Sequence, residues 1–457
     1  MCGIIGISSH KEAAKLAFMG LYALQHRGEE AAGIISYDGR HVHSIKEPGL
    51  VADHVNEQSL SKLKGDTAIG HTRYSTTGSS NVKNIQPFWV THRKRPVAVA
   101  HNGNLTNTAE LHKSLEEGGS IFQTTMDSEL IVHLLAKNQR EDIKEWFGAV
   151  LPQLRGAFSL VFLIGDTLVG TRDPNGFRPL CLGSLNGSKV LASETCALDL
   201  MGARFVREVE PGEIVFIKGG KVESSFFTLG EKKAQCIFEN IYFSRPDSFI
   251  FHDTVYAVRK RLGVRLAKEH PVKKADFVMA IPDSGNYAAL GYAQESGLPF
   301  EIGMIRNHYI GRTFIQPSQF LRDFRVKVKL NPISTSLKDK RIVVVEDSIV
   351  RGTTSRSRID VLRKAGAKEI HLRISCPPIR FPCFYGIDFP SRQELIASRK
   401  TVKAIADFIK VDSLEYLSQA GMIEVMKHGS DFCHACFSGE YPVKIPRRQT
   451  KYVLERK

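Results

Sequence analysis

Two similar units, each an apolar run followed by a polar loop and a helix that stops at glycine, constrain the fold more than any other feature. The first consists of Asp276–Ile281, Pro282–Gly285, a helix to about Gln294, Gly297 and the apolar run Glu301–Ile305. The second consists of Arg341–Val345, Glu346–Ser348, a helix to Lys364, Gly366 and the apolar run Ile370–Ile374. This alternation is typical of βαβ units on a parallel sheet. We therefore predict a doubly wound α/β domain over residues 233–457, with its ligands at the carboxyl ends of the strands.

Residues 2–232 have a different pattern and are predicted to form a separate domain. Short apolar segments predict strands at Gly3–Ile7, Thr67–Gly70, Val97–Ala100 and Ser159–Leu163, and helical patterns cover Lys11–Leu24 and Met126–Lys137. Strands and helices mixed in one block indicate two packed sheets with helices outside them.

Composition and charge narrow the class of protein. No apolar stretch approaches the roughly 20 residues that a membrane helix needs, and Ala13–Leu24 lacks the flanking features of a signal peptide. We therefore predict a cytoplasmic protein without a membrane partner. The formal net charge of +15 suits a polyanionic small substrate. Solubility and a basic tail, Arg447–Lys457, account for that charge without a nucleic-acid partner.

Cys2 is a candidate nucleophile. Removal of Met1 would leave it with both a thiol and a free α-amine, whose ordinary pKa of about 8 makes part of it an unprotonated base near neutral pH. One residue then supplies both halves of a nucleophile–base pair. The alternative is a buried cysteine at the start of an edge strand.

Polar groups in four other segments favour the catalytic interpretation. They lie in His26–Gly28, Gly70–Thr76, His101–Gly103 and Asp127–Glu129, where we expect strands to end. Hydrolysis of an amino-acid amide needs a cation for the carboxylate, an anion for the ammonium group and donors for the oxyanion. Arg73, Asp127, and the Asn102 side chain with the Gly103 backbone can fill these roles. Taken singly, each is more often a turn or a surface ion pair, and Asn102-Gly103 is also typical of a hairpin turn.

The motifs around Cys2 resemble those of a known enzyme family. Met1–Gly6, Gln25–Gly28, Gly70–Thr76 and His101–Asn104 together are similar to the glutaminase domain of class II glutamine amidotransferases. These are N-terminal-nucleophile enzymes with an αββα sandwich. The resemblance implies that Cys2 is the nucleophile, that Arg73 and Asp127 bind glutamine, and that Asn102 and Gly103 form the oxyanion hole.

Val343–Ser355 is the most informative stretch of the second domain. A buried strand delivers Glu346 and Asp347, and a loop rich in hydroxyls and glycine then opens a helix. The N–H groups and hydroxyls of Ser348–Thr354 can surround a phosphate at the positive end of that helix. The two acids suit sugar hydroxyls or Mg²⁺. A simple helix cap would explain the hydroxyls but not the acidic pair.

This stretch resembles the phosphoribosyl pyrophosphate fingerprint of type I phosphoribosyltransferases, although Glu346 stands where a number of relatives have aspartate. Pro282–Gly285 resembles the pyrophosphate loop of that family, and Arg312–Lys329 resembles its flexible loop. The resemblance assigns phosphoribosyl pyrophosphate to Asp283, Ser284, Gly285, Glu346, Asp347, Ser348, Arg351, Gly352, Thr353 and Thr354. It assigns Mg²⁺ to Ser284, Glu346 and Asp347.

Together the two domains, and the joining segment Phe238–Phe251, resemble the phosphoribosylpyrophosphate amidotransferase family over nearly the whole chain. The resemblance implies that glutamine and phosphoribosyl pyrophosphate give phosphoribosylamine, glutamate and pyrophosphate, the first step of de novo purine synthesis. It also implies purine nucleotides as feedback inhibitors and a homotetramer. Since ammonia must travel unprotonated, we expect a closed apolar passage between the two sites.

The chain has eight cysteines, a number that in a cytoplasmic protein is more typical of catalysis or metal binding than of disulfides. Cys433 and Cys436 form a C-x-x-C pair, which alone fits a redox motif, half a zinc site or an accident. By resemblance, Cys236, Cys383, Cys433 and Cys436 ligate the [4Fe–4S] cluster of a subset of the family. Spacing alone leaves Cys₄ zinc open. We interpret Cys181, Cys196 and Cys376 as core residues.

Three further possibilities remain open from the sequence. Cluster-bearing relatives often have a propeptide before the nucleophile, so either removal of Met1 suffices here or an excised leader preceded this sequence. A class II amidotransferase acting on a sugar phosphate or aspartate would share the first domain, but the Glu346–Thr354 fingerprint argues against it. A phosphoribosyltransferase-fold regulator that binds nucleic acid would leave Cys2 and Arg73 without a role.

Overall fold

The structure is a computed structural model that describes residues 1–54, 56–74, 81–138, 140–229, 232–307, 330–389, 391–446 and 454–455. Three predicted features lie wholly or largely outside the described residues. They are the loop 312–329, residues 75–76 of the Gly70–Thr76 motif and most of the basic tail 447–457.

Two antiparallel sheets form the first half of the chain. The order in the seven-stranded sheet is Arg204–Glu208, Cys181–Leu185, Ser188–Ala192, Gly3–Ser8, Thr67–Arg73, Ala31–Tyr37 and Val42–Pro48. The order in the six-stranded sheet is Lys221–Phe226, Glu213–Lys218, Thr167–Arg172, Gly156–Ile164, Arg95–Leu105 and Phe88–His92.

The two sheets pack face to face with helices on both outer surfaces. Ile4, Ile69, Val161 and Leu168 belong to the apolar layer between the sheets. Ala13–Ala23 and Thr195–Met201 cover the seven-stranded sheet, whereas Thr108–Glu117, Asp127–Lys137 and Ile143–Val150 cover the six-stranded one. Val51–His54 and Glu57–Leu60 are additional short helices. The predicted αββα sandwich is confirmed.

The strand that follows Cys2 is central rather than peripheral. Gly3–Ser8 pairs with Ser188–Ala192 on one side and with Thr67–Arg73 on the other. The alternative that placed Cys2 at the start of an edge strand is therefore wrong. Because Thr67–Arg73 ends beside the start of Gly3–Ser8, Arg73 comes close to Cys2.

A parallel sheet organises the second half, as predicted. Its order is Phe277–Ala280, Arg341–Glu346, Glu369–Ile374 and Ser413–Tyr416. Phe300 adds a parallel bridge to Val278 at the free side of the first strand. In chain order the sheet therefore runs 2-1-3-4-5, a doubly wound order whose direction reverses between Phe277–Ala280 and Arg341–Glu346.

The predicted strand Glu301–Ile305 is wrong in its bounds and its partner. Only Phe300 bridges to the parallel sheet, and Met304–Arg306 pairs antiparallel with Leu330–Pro332 instead. Gly303 lies between Phe300 and Met304–Arg306, and a Cβ there would come within 2.6 Å of the sulfur of Met279.

Within the described ranges, the α-helices of the second half are Val255–Glu269, Asn286–Ser296, Ser334–Leu337, Thr353–Lys364, Val402–Ile409, Gln419–Glu424 and Ala435–Ser438. Asn286–Ser296 packs on the first two strands of the parallel sheet and on Val255–Glu269. Two short ladders join Gln235–Cys236 to Phe432–Cys433 and Phe249–Ile250 to Asp253–Thr254. A π-helix, Glu239–Phe243, lies between the two halves. The domain boundary at 232/233 stays a prediction.

Across the described ranges, no helix combines the length and the hydropathy needed to cross a bilayer. The cytoplasmic location stays a prediction.

Candidate active sites

Cys2 lies buried where the sandwich meets the second half of the chain. Its Sγ is 3.5 Å from both the N–H and the carbonyl oxygen of Tyr74. Its own backbone N–H donates to Asn102 Oδ1 at 3.2 Å. Burial raises the pKa of the Cys2 thiol, and the nearby Arg73 guanidinium opposes that rise. The thiol therefore depends on neighbouring positive charge and on a base to become a nucleophile.

Asn102 and Gly103 lie within the strand Arg95–Leu105, so the hairpin-turn alternative is wrong. Asn102 is fully buried, and its Nδ2 has no hydrogen-bond partner among the described residues. Gly103 has a φ of +152°, and a Cβ there would lie 2.0 Å from the carbonyl oxygen of Ala157. Only glycine fits so close to the neighbouring strand.

Arg73 ends its strand in a buried position. Its Nη1 donates to the carbonyl oxygens of Asn84 at 2.8 Å and Asn81 at 3.4 Å. Burial lowers its pKa, and the charges of Cys2, Glu30 and Asp127 oppose that effect. The guanidinium is therefore fixed in place, within electrostatic range of the other predicted site residues.

Asp127 opens the helix Asp127–Lys137 and is buried. Its Oδ1 lies 3.1 Å from His101 Nδ1, and its Oδ2 accepts the N–H of Leu105 at 3.1 Å. Burial favours a raised pKa for Asp127, but His101 and the backbone donors outweigh it and the pKa is lowered. The reciprocal effect raises the pKa of His101 against its own burial. Asp127 is thus an anion held by its neighbours.

The expectation that these polar segments lie where strands end holds for only part of them. Arg73 and Tyr74 do end a strand, but Asn102 and Gly103 lie inside one and Asp127 begins a helix.

A buried network of charged residues lies beside Cys2 and was not predicted from the sequence. Arg27 donates to the carbonyl oxygen of Cys2 and to the carboxylates of Glu194 and Glu239. Arg178 contacts both Glu239 and Met1. Arg27 and Glu239 lie in the segments His26–Gly28 and Phe238–Phe251 that were named from the sequence, but no motif indicates that they pair, and Glu194 lies in no named segment.

The acids of the phosphoribosyl fingerprint meet the other predicted loop where the sheet order reverses. Ser284 Oγ donates to Asp347 Oδ2 at 2.5 Å, and Ser348 donates to Asp347 Oδ1. Gly285 packs against the end of the adjacent strand, where a Cβ would lie 2.6 Å from the carbonyl oxygen of Val345. The two loops therefore form one site, as the doubly wound order predicts.

Glu346 is less accessible than Asp347 to a ligand. One of its oxygens binds Arg358, and the other accepts the Ser355 hydroxyl at 3.1 Å. Burial, helped by the charge of Asp347, raises the pKa of Glu346 to about 7 despite Arg358. The Asp347 carboxylate, in contrast, is bound by the hydroxyls of Ser284 and Ser348.

The remaining fingerprint residues surround the start of the helix Thr353–Lys364. Gly352 precedes it with a φ of +76°, a conformation that favours glycine. Arg351 is exposed and pairs with Glu394, while Asp283 follows a cis peptide and pairs with Arg306.

A cavity of about 960 Å³ contains most of the candidate phosphoribosyl site and extends to Tyr74, which lies next to Cys2. All of the predicted phosphoribosyl pyrophosphate residues except Gly285 line it. At its other end are Gln25, His26 and Tyr74, the last of which contacts Cys2 Sγ. Between them the wall includes Phe238, Tyr242, Phe243 and Phe389.

The predicted cluster cysteines come from three segments that meet near the joining region. Cys236 and Cys433 are paired in register in the ladder that joins Gln235–Cys236 to Phe432–Cys433. Burial raises the pKa of Cys436 well above its ordinary value, and the nearby thiols of Cys383, Cys236 and Cys433 raise it further. Within the described part of the chain, no group of three or more His, Cys, Asp or Glu residues is arranged to hold a metal ion. Cys181, Cys196 and Cys376 are buried, as predicted for core residues.

Known proteins resemble this chain over its full length. Residues 71–200 match a family model described as a glutamine amidotransferase domain. The amidophosphoribosyltransferase of Synechocystis is 50% identical over 465 residues, covering 99% of this chain and 94% of that protein. That of Archaeoglobus fulgidus is 46% identical over 453 residues, covering 98% and 99%. The chain belongs to the amidophosphoribosyltransferase family.

Solved structures agree with this assignment. A structure described as the allosteric regulatory enzyme of purine biosynthesis has a TM-score of 0.94 and 43% identity, and covers all of this chain and 99% of its own. The glutamine phosphoribosylpyrophosphate amidotransferase of B. subtilis, complexed with ADP and GMP, has a TM-score of 0.93 and 43% identity, with 99% and 100% coverage. Full-length similarity to amidophosphoribosyltransferases confirms the predicted family. This similarity argues against the two alternatives raised from the sequence. One was an amidotransferase acting on a sugar phosphate or aspartate, and the other was a regulator that binds nucleic acid.

Proposed function

We propose that this chain hydrolyses glutamine at Cys2 and transfers the ammonia to phosphoribosyl pyrophosphate. The products are phosphoribosylamine, glutamate and pyrophosphate, as in the first step of de novo purine synthesis. The observation that carries the proposal is the cavity that joins Tyr74, in contact with Cys2 Sγ, to the residues of the phosphoribosyl fingerprint. Ammonia released at Cys2 then has a short route to the second substrate.

In the glutaminase half-reaction, Cys2 with its free α-amine acts as nucleophile and base. The amine accepts the thiol proton, the sulfur attacks the amide carbon, and the returned proton leaves with ammonia, which leaves a glutamyl thioester on Cys2. Water then attacks the thioester carbon, and the C–S bond breaks to release glutamate and restore the thiol. The unpartnered Nδ2 of Asn102 and the backbone of Gly103 stabilise the oxyanion. Arg73 binds the substrate carboxylate and Asp127 its ammonium group.

In the transferase half-reaction, the chain positions phosphoribosyl pyrophosphate between the two loops. The Ser348–Thr354 loop binds the 5′-phosphate at the start of the helix Thr353–Lys364. Asp283, Ser284 and Gly285 bind the pyrophosphate, and Asp347 binds the ribose hydroxyls. Ammonia arriving through the cavity attacks the ribose C1 as the bond to pyrophosphate breaks.

Mg²⁺ is the cofactor that this donor set fits. Asp347 and Ser284 supply adjacent oxygens, the ligands that this ion prefers. When bound, the ion would stabilise the charge of the leaving pyrophosphate. Glu346 serves this site indirectly, since Arg358 and Ser355 already bind its oxygens.

A structural [4Fe–4S] cluster held by Cys236, Cys383, Cys433 and Cys436 is the second proposed cofactor. Its support is the in-register pairing of Cys236 with Cys433 and the nearness of Cys236, Cys383 and Cys433 to Cys436, whose pKa their charges raise. Four thiolate ligands fit such a cluster.

Regulation and assembly complete the proposal. The B. subtilis relative was solved with ADP and GMP, which supports purine nucleotides as feedback inhibitors here. A homotetramer is proposed from the family resemblance alone.

A pyrophosphate-release assay tests the function directly. With glutamine, Mg²⁺ and phosphoribosyl pyrophosphate, pyrophosphate and glutamate should form in equal amounts. Replacing phosphoribosyl pyrophosphate by fructose 6-phosphate or aspartate should give no transfer product. Failure to release pyrophosphate with either glutamine or ammonia would refute the proposal.

A further inference from the structure

A buried arginine links the nucleophile to the transferase half of the chain. Arg27 Nε donates to the carbonyl oxygen of Cys2 at 2.9 Å. The other edge of the guanidinium donates to both oxygens of Glu239, with Nη2–Oε1 at 2.7 Å and Nη1–Oε2 at 3.0 Å. Arg27 and Glu239 are both completely buried. One side chain thus connects the backbone of Cys2 to a residue beyond the sandwich.

The buried network around Arg27 contains equal numbers of positive and negative side chains, and the geometry of their contacts requires an arginine at this position. Glu194 binds the same guanidinium, and Arg178 lies 3.4 Å from Glu239. Two guanidinium groups therefore face two carboxylates in a buried network. Burial would raise the pKa of Glu239, but Arg27 outweighs it and keeps that pKa low. A lysine would keep the charge but lose the planar fork that reaches Cys2 and Glu239 at once.

Glu239 is the first residue of the π-helix Glu239–Phe243, a rare geometry that is found mostly at functional sites. The transferase half fastens this helix through Arg259. Arg259 Nε donates to the Asn240 carbonyl oxygen at 2.8 Å, and its Nη2 donates to that of Ser244 at 2.8 Å. The position of Glu239 is therefore set by residues outside the glutaminase sandwich.

The same π-helix reaches the sulfur side of Cys2. The ring of Phe243 packs edge-on against that of Tyr74, with centroids 6.2 Å apart. Tyr74 in turn donates its backbone N–H to Cys2 Sγ. The first residue of the helix thus binds Arg27, which binds the carbonyl oxygen of Cys2. The last residue packs against Tyr74, which binds the sulfur of Cys2.

We propose that Arg27 is a positioning residue for Cys2, and that Glu239 from the transferase half holds Arg27 in place. The glutaminase site is then complete only when both halves of the chain are assembled. The inference rests on the proposed role of Cys2 as the glutaminase nucleophile. It assigns Arg27 no contact with glutamine, which Arg73 and Asp127 bind.

Two charge-preserving substitutions test this assignment in the full-length protein. Arg27→Lys removes the fork, and Glu239→Asp shortens the carboxylate, while the buried charges stay balanced. We expect the kcat of glutamine hydrolysis to fall about tenfold or more, since small displacements of a reacting group are costly. We expect the KM for glutamine to change less than about twofold, and ammonia-dependent pyrophosphate release to stay within about twofold of the unsubstituted rate.

Arg172→Lys is the matched control. Arg172 is an equally buried arginine of the sandwich, whose guanidinium binds the carbonyl oxygens of Val209 and Gly176. Thermal unfolding of all three variants separates positioning from loss of stability.

A loss of kcat in Arg27→Lys no larger than in Arg172→Lys would overturn the inference and leave the proposed function intact. Parallel loss of glutamine- and ammonia-dependent rates would also overturn it. If Glu239→Asp does not fold, Arg27→Lys decides alone. A folded, unsubstituted protein without glutaminase activity would overturn the proposed function itself, and this inference with it.

Discussion

The backbone N–H of Cys2 donates to the side-chain oxygen of Asn102, 3.2 Å away. While Met1 is attached, this peptide N–H can only donate, and the bond orients the Asn102 amide with its oxygen towards Cys2. The Nδ2 donor is buried and, within the described ranges, has no partner of its own. A fixed, unsatisfied donor beside a nucleophile is the arrangement that stabilises an oxyanion.

We expect Asn102→Ala to lower the kcat of glutamine hydrolysis by about 10²–10³, the usual effect of losing one oxyanion donor. The KM for glutamine should change much less, because the donor acts mainly in the transition state. Glutamate release measures both constants. A loss below about threefold would argue against the assignment.

We expect Cys2→Ala to abolish glutamine-dependent turnover and to spare turnover with high external ammonia. The reason is that Cys2 lies outside the phosphoribosyl site, beside Tyr74 in the wall of the cavity. Cys181→Ala, a buried cysteine of the same sheet, should keep both activities. Loss of both activities in a folded Cys2→Ala protein would contradict the two-site mechanism.

We expect Asp347→Asn to weaken the binding of phosphoribosyl pyrophosphate with Mg²⁺ and to leave the basal rate of glutamine hydrolysis unchanged. The substitution keeps the shape of the side chain and removes the charge that faces Ser284. Calorimetry at several Mg²⁺ concentrations measures the change in affinity. Unchanged affinity at every Mg²⁺ concentration would contradict the role given to Asp347.

We expect the pair His101–Asp127 to make the free energy of unfolding depend on pH. The pKa of His101 is raised in the folded protein above its ordinary 6.5 by Asp127. A raised pKa contributes stability that is complete below pH 6.5 and is lost as pH rises through the folded pKa. Urea unfolding from pH 6 to pH 9 should show this decline, and His101→Asn should remove it. An identical decline in both proteins would assign it to other groups.

We expect the anaerobically purified protein to be brown, with about four irons per chain. Cys433→Ser should lose iron and thermal stability, because ligands that bind only in the folded state add to its stability. Cys376→Ser serves as the control, since Cys376 is buried but lies in none of the predicted ligand segments. A colourless protein with one zinc would refute the cluster, and a stable, iron-free, active Cys433→Ser would refute any metal at this site.

The two loops that carry the predicted phosphoribosyl residues could be predicted because each is one continuous stretch of sequence. Glu346–Thr354 and Pro282–Gly285 follow apolar runs, and the doubly wound order brings such loops together regardless of the residues between them. The partners of these residues could not be predicted in the same way. Arg358 binds Glu346 from the next helix, in a position where an arginine usually faces solvent.

Partners that are distant in sequence were also missed. Glu239 binds Arg27, which lies 212 positions earlier in the chain, and no sequence pattern indicates that the two residues pair. The strand Glu301–Ile305 failed for a related reason. An apolar run predicts that a strand forms, but its pairing depends on Leu330–Pro332, a segment with weak periodicity of its own.

The ladder that pairs Cys236 with Cys433 sets an order of events during synthesis. The sandwich ends at Phe226 and can fold while the rest of the chain is still being made. The partner of Cys236 is added only after about 200 further residues, or roughly 10–40 s at ordinary rates of translation. The partner of the Arg178 guanidinium, the Tyr385 carbonyl oxygen, lies 207 residues later and is added after a slightly longer interval. During this interval, the surface of the sandwich that the second half will cover stays exposed to solvent. A ribosome that stalls in this interval would prolong the exposure of that surface to chaperones.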